Sequence, residues 1–136
     1  MKKKKRIAIL TGGGDCPGIN AVIRGVVKKA IIEENMEVIG IKDGYHGLIK
    51  NCFKQLRYED VSGILTLGGT ILGTSKKANP YSYAIKKGRE MQFKDLSKTA
   101  VKNIKKLNVS CLVTIGGDGS LGIAYRLFKD GIPVVG

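Results

Sequence analysis

The chain has 136 residues, 43% of them hydrophobic, and a net charge of +13 from 24 Lys and Arg against 11 Asp and Glu. That length is one domain or part of one, and the apolar fraction supports a packed core and excludes a disordered chain. The charge is mostly lysine (19 Lys, 5 Arg), spread along the chain with no zinc finger, RNP motif or Arg-rich stripe, so nucleic acid is not an expected partner and attraction of small polyanions is.

No apolar run approaches the roughly 18 residues of a membrane span, so no membrane partner is expected. The basic start, Lys2-Lys3-Lys4-Lys5-Arg6, is followed by only four apolar residues, too few for a signal peptide. Cys16, Cys52 and Cys111 are far apart and odd in number, which predicts reduced thiols and a cytoplasmic setting.

In chain order, Arg6-Ile7-Ala8-Ile9-Leu10-Thr11 reads as a strand with the continuous apolar run of a parallel sheet covered on both faces. Gly12-Gly13-Gly14-Asp15-Cys16-Pro17-Gly18 is its turn, with Pro17 suited to the first turn of a helix. Ile19, Val22, Ile23, Val26, Val27, Ala30 and Ile31 recur by threes and fours and predict that helix, with Asn35 closing it. Glu37-Val38-Ile39-Gly40-Ile41-Lys42 is a second strand. Residues 43–48 read as a glycine-punctuated loop, with His46 exposed in it, and residues 51–58 as a short strand of uncertain bounds. A second glycine segment spans residues 68–77, and Asn79-Pro80 ends it. Tyr81 and Tyr83 read as surface packing. Residues 94–107 form an amphipathic helix, with Leu96, Ala100, Ile104 and Leu107 on one face and lysines on the other. Residues 109–113 are a buried strand, 121–128 a helix, and 131–136 the beginning of another strand.

Thr114-Ile115-Gly116-Gly117-Asp118-Gly119-Ser120 therefore joins a strand to a helix through a glycine turn. Ligands of open α/β sheets bind at such turns. Glycine lets the backbone approach a ligand, and free N–H groups at the helix start favour an anion. Asp118 adds a carboxylate able to hold a divalent metal, and Ser120 is placed to cap the helix or touch a phosphate. The stretch reads as a phosphate-plus-metal site; a tight turn with a capping serine is the alternative it leaves open. Two nucleotide motifs are excluded. Pro17 stands where the dinucleotide fingerprint needs a third glycine or alanine, and no Gly-Lys-Ser/Thr occurs for a P-loop. Three glycine turns at one sheet edge, with Asp118, Lys76 and Lys77, suit phosphoryl transfer, which rests on positioning and charge neutralisation. Cys16 reads as a small turn residue.

These segments carry a resemblance. Leu10-Thr11-Gly12-Gly13-Gly14-Asp15-Cys16-Pro17-Gly18-Ile19-Asn20-Ala21, then Asp43-Gly44-Tyr45, then Gly68-Gly69-Thr70-Ile71-Leu72-Gly73-Thr74-Ser75, then Gly116-Gly117-Asp118-Gly119-Ser120 are similar, in order and spacing, to motifs of the 6-phosphofructokinases. Thr74 and Ser75 followed by Asn79 and Pro80 resemble a bacterial subgroup whose members use ATP or pyrophosphate. The resemblance implies an α/β three-layer fold with a Rossmann-like, mostly parallel sheet. Residues 1–136 would be the N-terminal nucleotide-binding portion, without the second, sugar-phosphate and effector domain. It implies Mg-ATP-dependent phosphorylation of fructose 6-phosphate to fructose 1,6-bisphosphate, with ATP as co-substrate and Mg2+ as cofactor, in an enzyme that is a homo-oligomer when intact. Gly14, Gly117, Asp118, Gly119 and Ser120 would meet the phosphates, Asp118 the magnesium, and Tyr45, Lys76 and Lys77 the border of the nucleotide. Arg24 and Lys28 match an effector site of some members. Lys76 stands where the family usually has Arg, exchanging a planar fork for a point charge. No catalytic residue is assigned, because the base of the family belongs to a Thr-Ile-Asp-Asn-Asp motif expected after Gly136, and the isolated 136 residues are expected to be inactive. Gly119 favours ATP, since pyrophosphate users carry aspartate there. The alternatives are a non-catalytic nucleotide-binding or regulatory half-domain and a pyrophosphate-dependent enzyme.

Overall fold

The computed structural model describes residues 2–14 and 16–136; Asp15, part of the first glycine turn, lies outside them. Alternation in the first strand builds the three layers. In β1 (Arg6–Thr11) Ile7 and Ile9 face one side and Ala8 and Leu10 the other, and all four are buried. A strand buried on both faces needs a helical layer over each. On one side α1 (Ile19–Lys28) packs Ile19, Ile23 and Val27 against Ile7, Ile9 and Val38, together with Val61, Ile64 and Leu72 from further along the chain. On the other, Leu48 of α2 (Tyr45–Lys50), Ala100 and Ile104 of α3 (Ser97–Lys106) and Leu127 of α4 (Asp118–Lys129) meet Ala8, Leu10, Ile41 and Leu112.

The sheet runs β3-β2-β1-β6-β7. Here β2 is Glu37–Ile41, β3 Phe53–Leu56, β6 Cys111–Ile115 and β7 Val134–Val135. All neighbours are parallel except β2 and β3, which are antiparallel. The chain leaves β1 for β2 on one side and later returns to place β6 on the other. The order reverses between β1 and β6, and the crevice beyond their carboxyl ends is the switch point at which such sheets bind ligands.

Several expectations shift. Residues 43–48 are not a loop throughout: Gly44 (φ 60) turns the chain into α2, and Asn51 (φ 59) ends it. His46 is accordingly half-buried in a helix, its Nδ1 2.7 Å from the Tyr83 hydroxyl. Pro17 is not within the first helical turn, because α1 starts at Ile19 behind Gly18, which takes the left-handed φ of 94° as N-cap. That helix widens into a π-helical turn over Lys29–Glu33, and Asn35 (φ 51) follows as the expected left-handed terminator. The strand expected at 109–113 is Cys111–Ile115, set by pairing of Cys111 with Ile7 and Ile115 with Thr11. A two-stranded antiparallel hairpin, β4 (Tyr83–Lys87) with β5 (Glu90–Lys94), stands apart from the main sheet. It delays α3 to Ser97, whose amide donates to the Asp95 carboxylate at 2.9 Å. No helix among the described residues is long and apolar enough to cross a membrane.

Candidate functional site

Backbone contact, rather than side-chain packing, brings the glycine turns together. The Gly12 amide donates to the Ile115 carbonyl at 2.9 Å, closing the β1 turn on the end of β6. A Cβ added at Gly12 would lie 2.4 Å from Ser120 Oγ, and one at Gly116 would lie 2.6 Å from Ser120 Cβ and 3.0 Å from the Gly12 carbonyl. No side chain fits between these turns.

The segment 70–74 is laced onto β1 by hydroxyls. Buried Thr11 donates to the Gly73 carbonyl at 2.8 Å, which leaves the Thr70 hydroxyl to donate to Thr11 at 2.9 Å and to accept from the Leu72 amide at 3.2 Å. Thr74 donates to the Gly13 carbonyl at 2.7 Å. Asn20, also buried, donates to the Leu67 and Gly68 carbonyls and accepts from the Ile71 amide at 2.8 Å. This segment follows no strand, yet it reaches the same sheet edge as the other two turns.

Two clefts flank the residue 12–14 turn. One, of ≈ 550 Å³, has Gly12, Gly14, Gly116 and Gly117 on its wall. The other, of ≈ 260 Å³, is bounded by Gly13, Tyr45, Ser75, Lys76, Lys77, Gly119 and Ser120. A larger groove of ≈ 700 Å³ lies elsewhere, along the lysine face of α3 and Asp130; none of the three converging glycine segments lines it. Lys76 arches over the β1 turn, so that a Cβ at Gly14 would be 3.5 Å from its Cε and 3.9 Å from its Nζ. Lys76 and Lys77 are exposed and form no ion pair among the described residues.

Helix α4 starts at Asp118, with Gly117 as an extended N-cap. Ser120 is therefore not the cap. It sits inside the first turn, 6% exposed, with its hydroxyl packed into the glycine crevice. The amides of Asp118, Gly119 and Ser120 have no partner within the helix and lie at its positive end. The Asp118 carboxylate is exposed and makes no ion pair with a described residue. No group of three His, Cys, Asp or Glu among the described residues surrounds a metal position. A single free carboxylate beside an anion-binding helix start fits magnesium, which takes one or two carboxylates and completes its shell with phosphate oxygens and water. It does not fit a dedicated all-protein metal cage.

Tyr45 reaches the site in an unexpected role. It is 2% exposed, and its hydroxyl donates to the Ser120 carbonyl at 2.6 Å. Burial pushes the phenol up to about 12, against an opposing effect of the nearby Thr114 hydroxyl, which itself is buried without a hydrogen bond of good geometry. The phenol thus stays a donor at neutral pH. Arg24 and Lys28 are outside the crevice, on α1. The Lys28 ammonium lies 4.8 Å from the Tyr58 ring centre, and the Arg24 Nε is buried and unpartnered. Cys16 is exposed. The Thr11, Thr70, Asn20 and Thr74 lacing escaped the sequence reading; the signal available was a set of small polar residues inside otherwise apolar or glycine-rich runs.

The switch point of this doubly wound sheet is thus lined by glycine turns, a helix start, the Asp118 carboxylate and two lysines. The family model for phosphofructokinase matches residues 6–136, and the chain belongs to that family. It is 50% identical over 137 aligned positions to ATP-dependent 6-phosphofructokinase 2 of Clostridium perfringens (strain 13 / Type A), covering 100% of this chain and 37% of that protein. It is 46% identical over 133 positions to pyrophosphate–fructose 6-phosphate 1-phosphotransferase of Dictyoglomus thermophilum, covering 98% and 35%. The crystal structure of Pichia pastoris phosphofructokinase in the T-state aligns with a TM-score of 0.77 at 36% identity, over 100% of this chain and 14% of that one. The chain spans a little over a third of the length of these bacterial relatives.

Proposed function

We propose that this chain forms the nucleotide-phosphate portion of a 6-phosphofructokinase that moves the γ-phosphoryl group of Mg-ATP to the 1-hydroxyl of fructose 6-phosphate. The observation that carries the proposal is the convergence of three glycine segments on the β1–β6 switch point, with the free Asp118 carboxylate at the start of α4. Backbone donors at residues 12–14 and 117–120 would cradle the phosphate chain. Lys76 and Lys77 would neutralise its charge as point cations, without the fork an arginine offers. Asp118 would hold magnesium, which when bound spreads the charge of the phosphate oxygens during transfer. The sugar phosphate and the base that activates its hydroxyl are assigned to regions outside this chain, and Arg24 and Lys28 to an effector.

The choice of ATP rests on Gly119. A Cβ there meets nothing within 4 Å, so the fold has no steric need for glycine at this point, and Gly119 borders the cleft shared with Lys76 and Lys77. Glycine leaves room for a long phosphate chain beside the backbone. An aspartate would project a repelling charge into that room and leave a short donor less affected. In the full-length protein, Gly119→Asp should lower kcat/KM for ATP at least about tenfold more than for pyrophosphate. Steady-state rates with each donor, at saturating fructose 6-phosphate, give the answer. A parent enzyme that prefers pyrophosphate, or a variant with unchanged ATP kinetics, sinks the assignment.

A further inference from the structure

Tyr45 touches both halves of the switch point. Its ring lies beside the β1 turn, where a Cβ on Gly12 would be 3.5 Å from Cε2. Its hydroxyl crosses to the first turn of α4 and donates to the Ser120 carbonyl at 2.6 Å. Its own position is fixed from behind. Gly44 seats against the Thr11 carbonyl, which would lie 2.7 Å from a Cβ there, and the Asp43 amide donates to the Leu72 carbonyl at 2.8 Å. A fully buried phenol held at both ends acts as a strut between the end of β2 and the residues that face the phosphates.

We infer that Tyr45 is a positioning residue for phosphoryl transfer: through its hydrogen bond to the Ser120 carbonyl it sets where Asp118 and the first-turn amides of α4 stand. The inference rests on the phosphofructokinase reading above and goes further, because it gives Tyr45 a role other than direct contact with the nucleotide. The hydroxyl is already committed to a main-chain acceptor in a buried site. Asp118 is two residues from the anchored carbonyl, within the same helical turn. Loss of the bond lets that turn shift and leaves a buried carbonyl short of one partner, a change worth about three- to tenfold in an equilibrium that depends on the turn's position.

Tyr45→Phe in the full-length protein removes the oxygen and keeps the ring. The magnesium concentration giving half-maximal rate should rise about three- to tenfold, with the KM for fructose 6-phosphate unchanged. Amide hydrogen exchange at Leu121, whose amide donates to the Gly117 carbonyl, and at the residues that follow it in α4 should accelerate by a similar factor, while Val22, whose amide donates to the Gly18 carbonyl at the start of α1, keeps its rate. Tyr83→Phe is the control: it removes a phenol bonded to His46, away from the crevice, and should alter neither readout. Faster exchange with an unchanged magnesium profile would show a purely structural bond and overturn the inference, as would no change in either. The exchange measurement needs no turnover, so it tests the strut even where the phosphofructokinase reading fails.

Discussion

The β1–β6 crevice and the β4–β5 hairpin are both built around glycine turns, and they are held in opposite ways. In the crevice, backbone atoms and buried hydroxyls approach from three segments of the chain: Gly44 lies under the Thr11 carbonyl, Gly116 against Ser120, and Thr11 is bonded to both Thr70 and Gly73. In the hairpin, every residue of β5 is exposed, Phe93 by 68%, and Gly88 in the turn has nothing within 4 Å of where a Cβ would be. Glycine serves a close approach in the first region and only a local backbone conformation in the second. Close approach is the property a phosphate site needs, because only there does the main chain come within hydrogen-bonding range of the ligand.

That difference can be broken open with one kind of substitution. Gly44 and Gly88 have nearly equal positive φ, 60° and 65°. Gly44→Ala adds a backbone clash at 2.7 Å to a conformation (φ 60°, ψ −137°) that glycine alone adopts readily, and should cost at least about 3 kcal/mol of stability. Gly88→Ala adds the strain alone and should cost about 1 kcal/mol. Thermal unfolding of both variants beside the parent measures the gap. Equal losses would mean that the crevice is no more tightly built than the hairpin.

Sequence patterning made the crevice legible and the hairpin not. The apolar runs of β1 and β2 and the threes-and-fours of α1 report burial directly, and the Gly-Gly-Asp-Gly turn announces a strand-to-helix junction. The hairpin escaped because its signal is short: β5 alternates Met91 and Phe93 with Glu90, Gln92 and Lys94 over only five residues, and both apolar side chains stay exposed. Helix α2 was hidden because Gly47 interrupts six residues that otherwise suit a helix, and its limits are set by positive φ at Gly44 and Asn51, a backbone property that residue type only hints at. Of the two roles the sequence offers Ser120, capping the helix falls away, and its seat inside the first turn was not legible because its neighbours across the crevice, Gly12 and Tyr45, are distant in sequence. The same distance concealed the Tyr45 hydroxyl, whose partner lies 75 positions away. Lys76 over Gly14 was legible as charge near a glycine turn but not as an arch over it.

Among all these features, the account depends most on Asp118 as the anchor for magnesium on a bound phosphate chain. Titration calorimetry of ATP into the full-length protein, with and without magnesium, for the parent and for Asp118→Asn, tests it without requiring turnover. Magnesium should tighten ATP binding by the parent about tenfold or more and should give little of that gain in the variant, which keeps its size and loses its charge. An Asp118→Asn protein with the parent's full magnesium-dependent gain would contradict the account and reduce Asp118 to a residue of the turn.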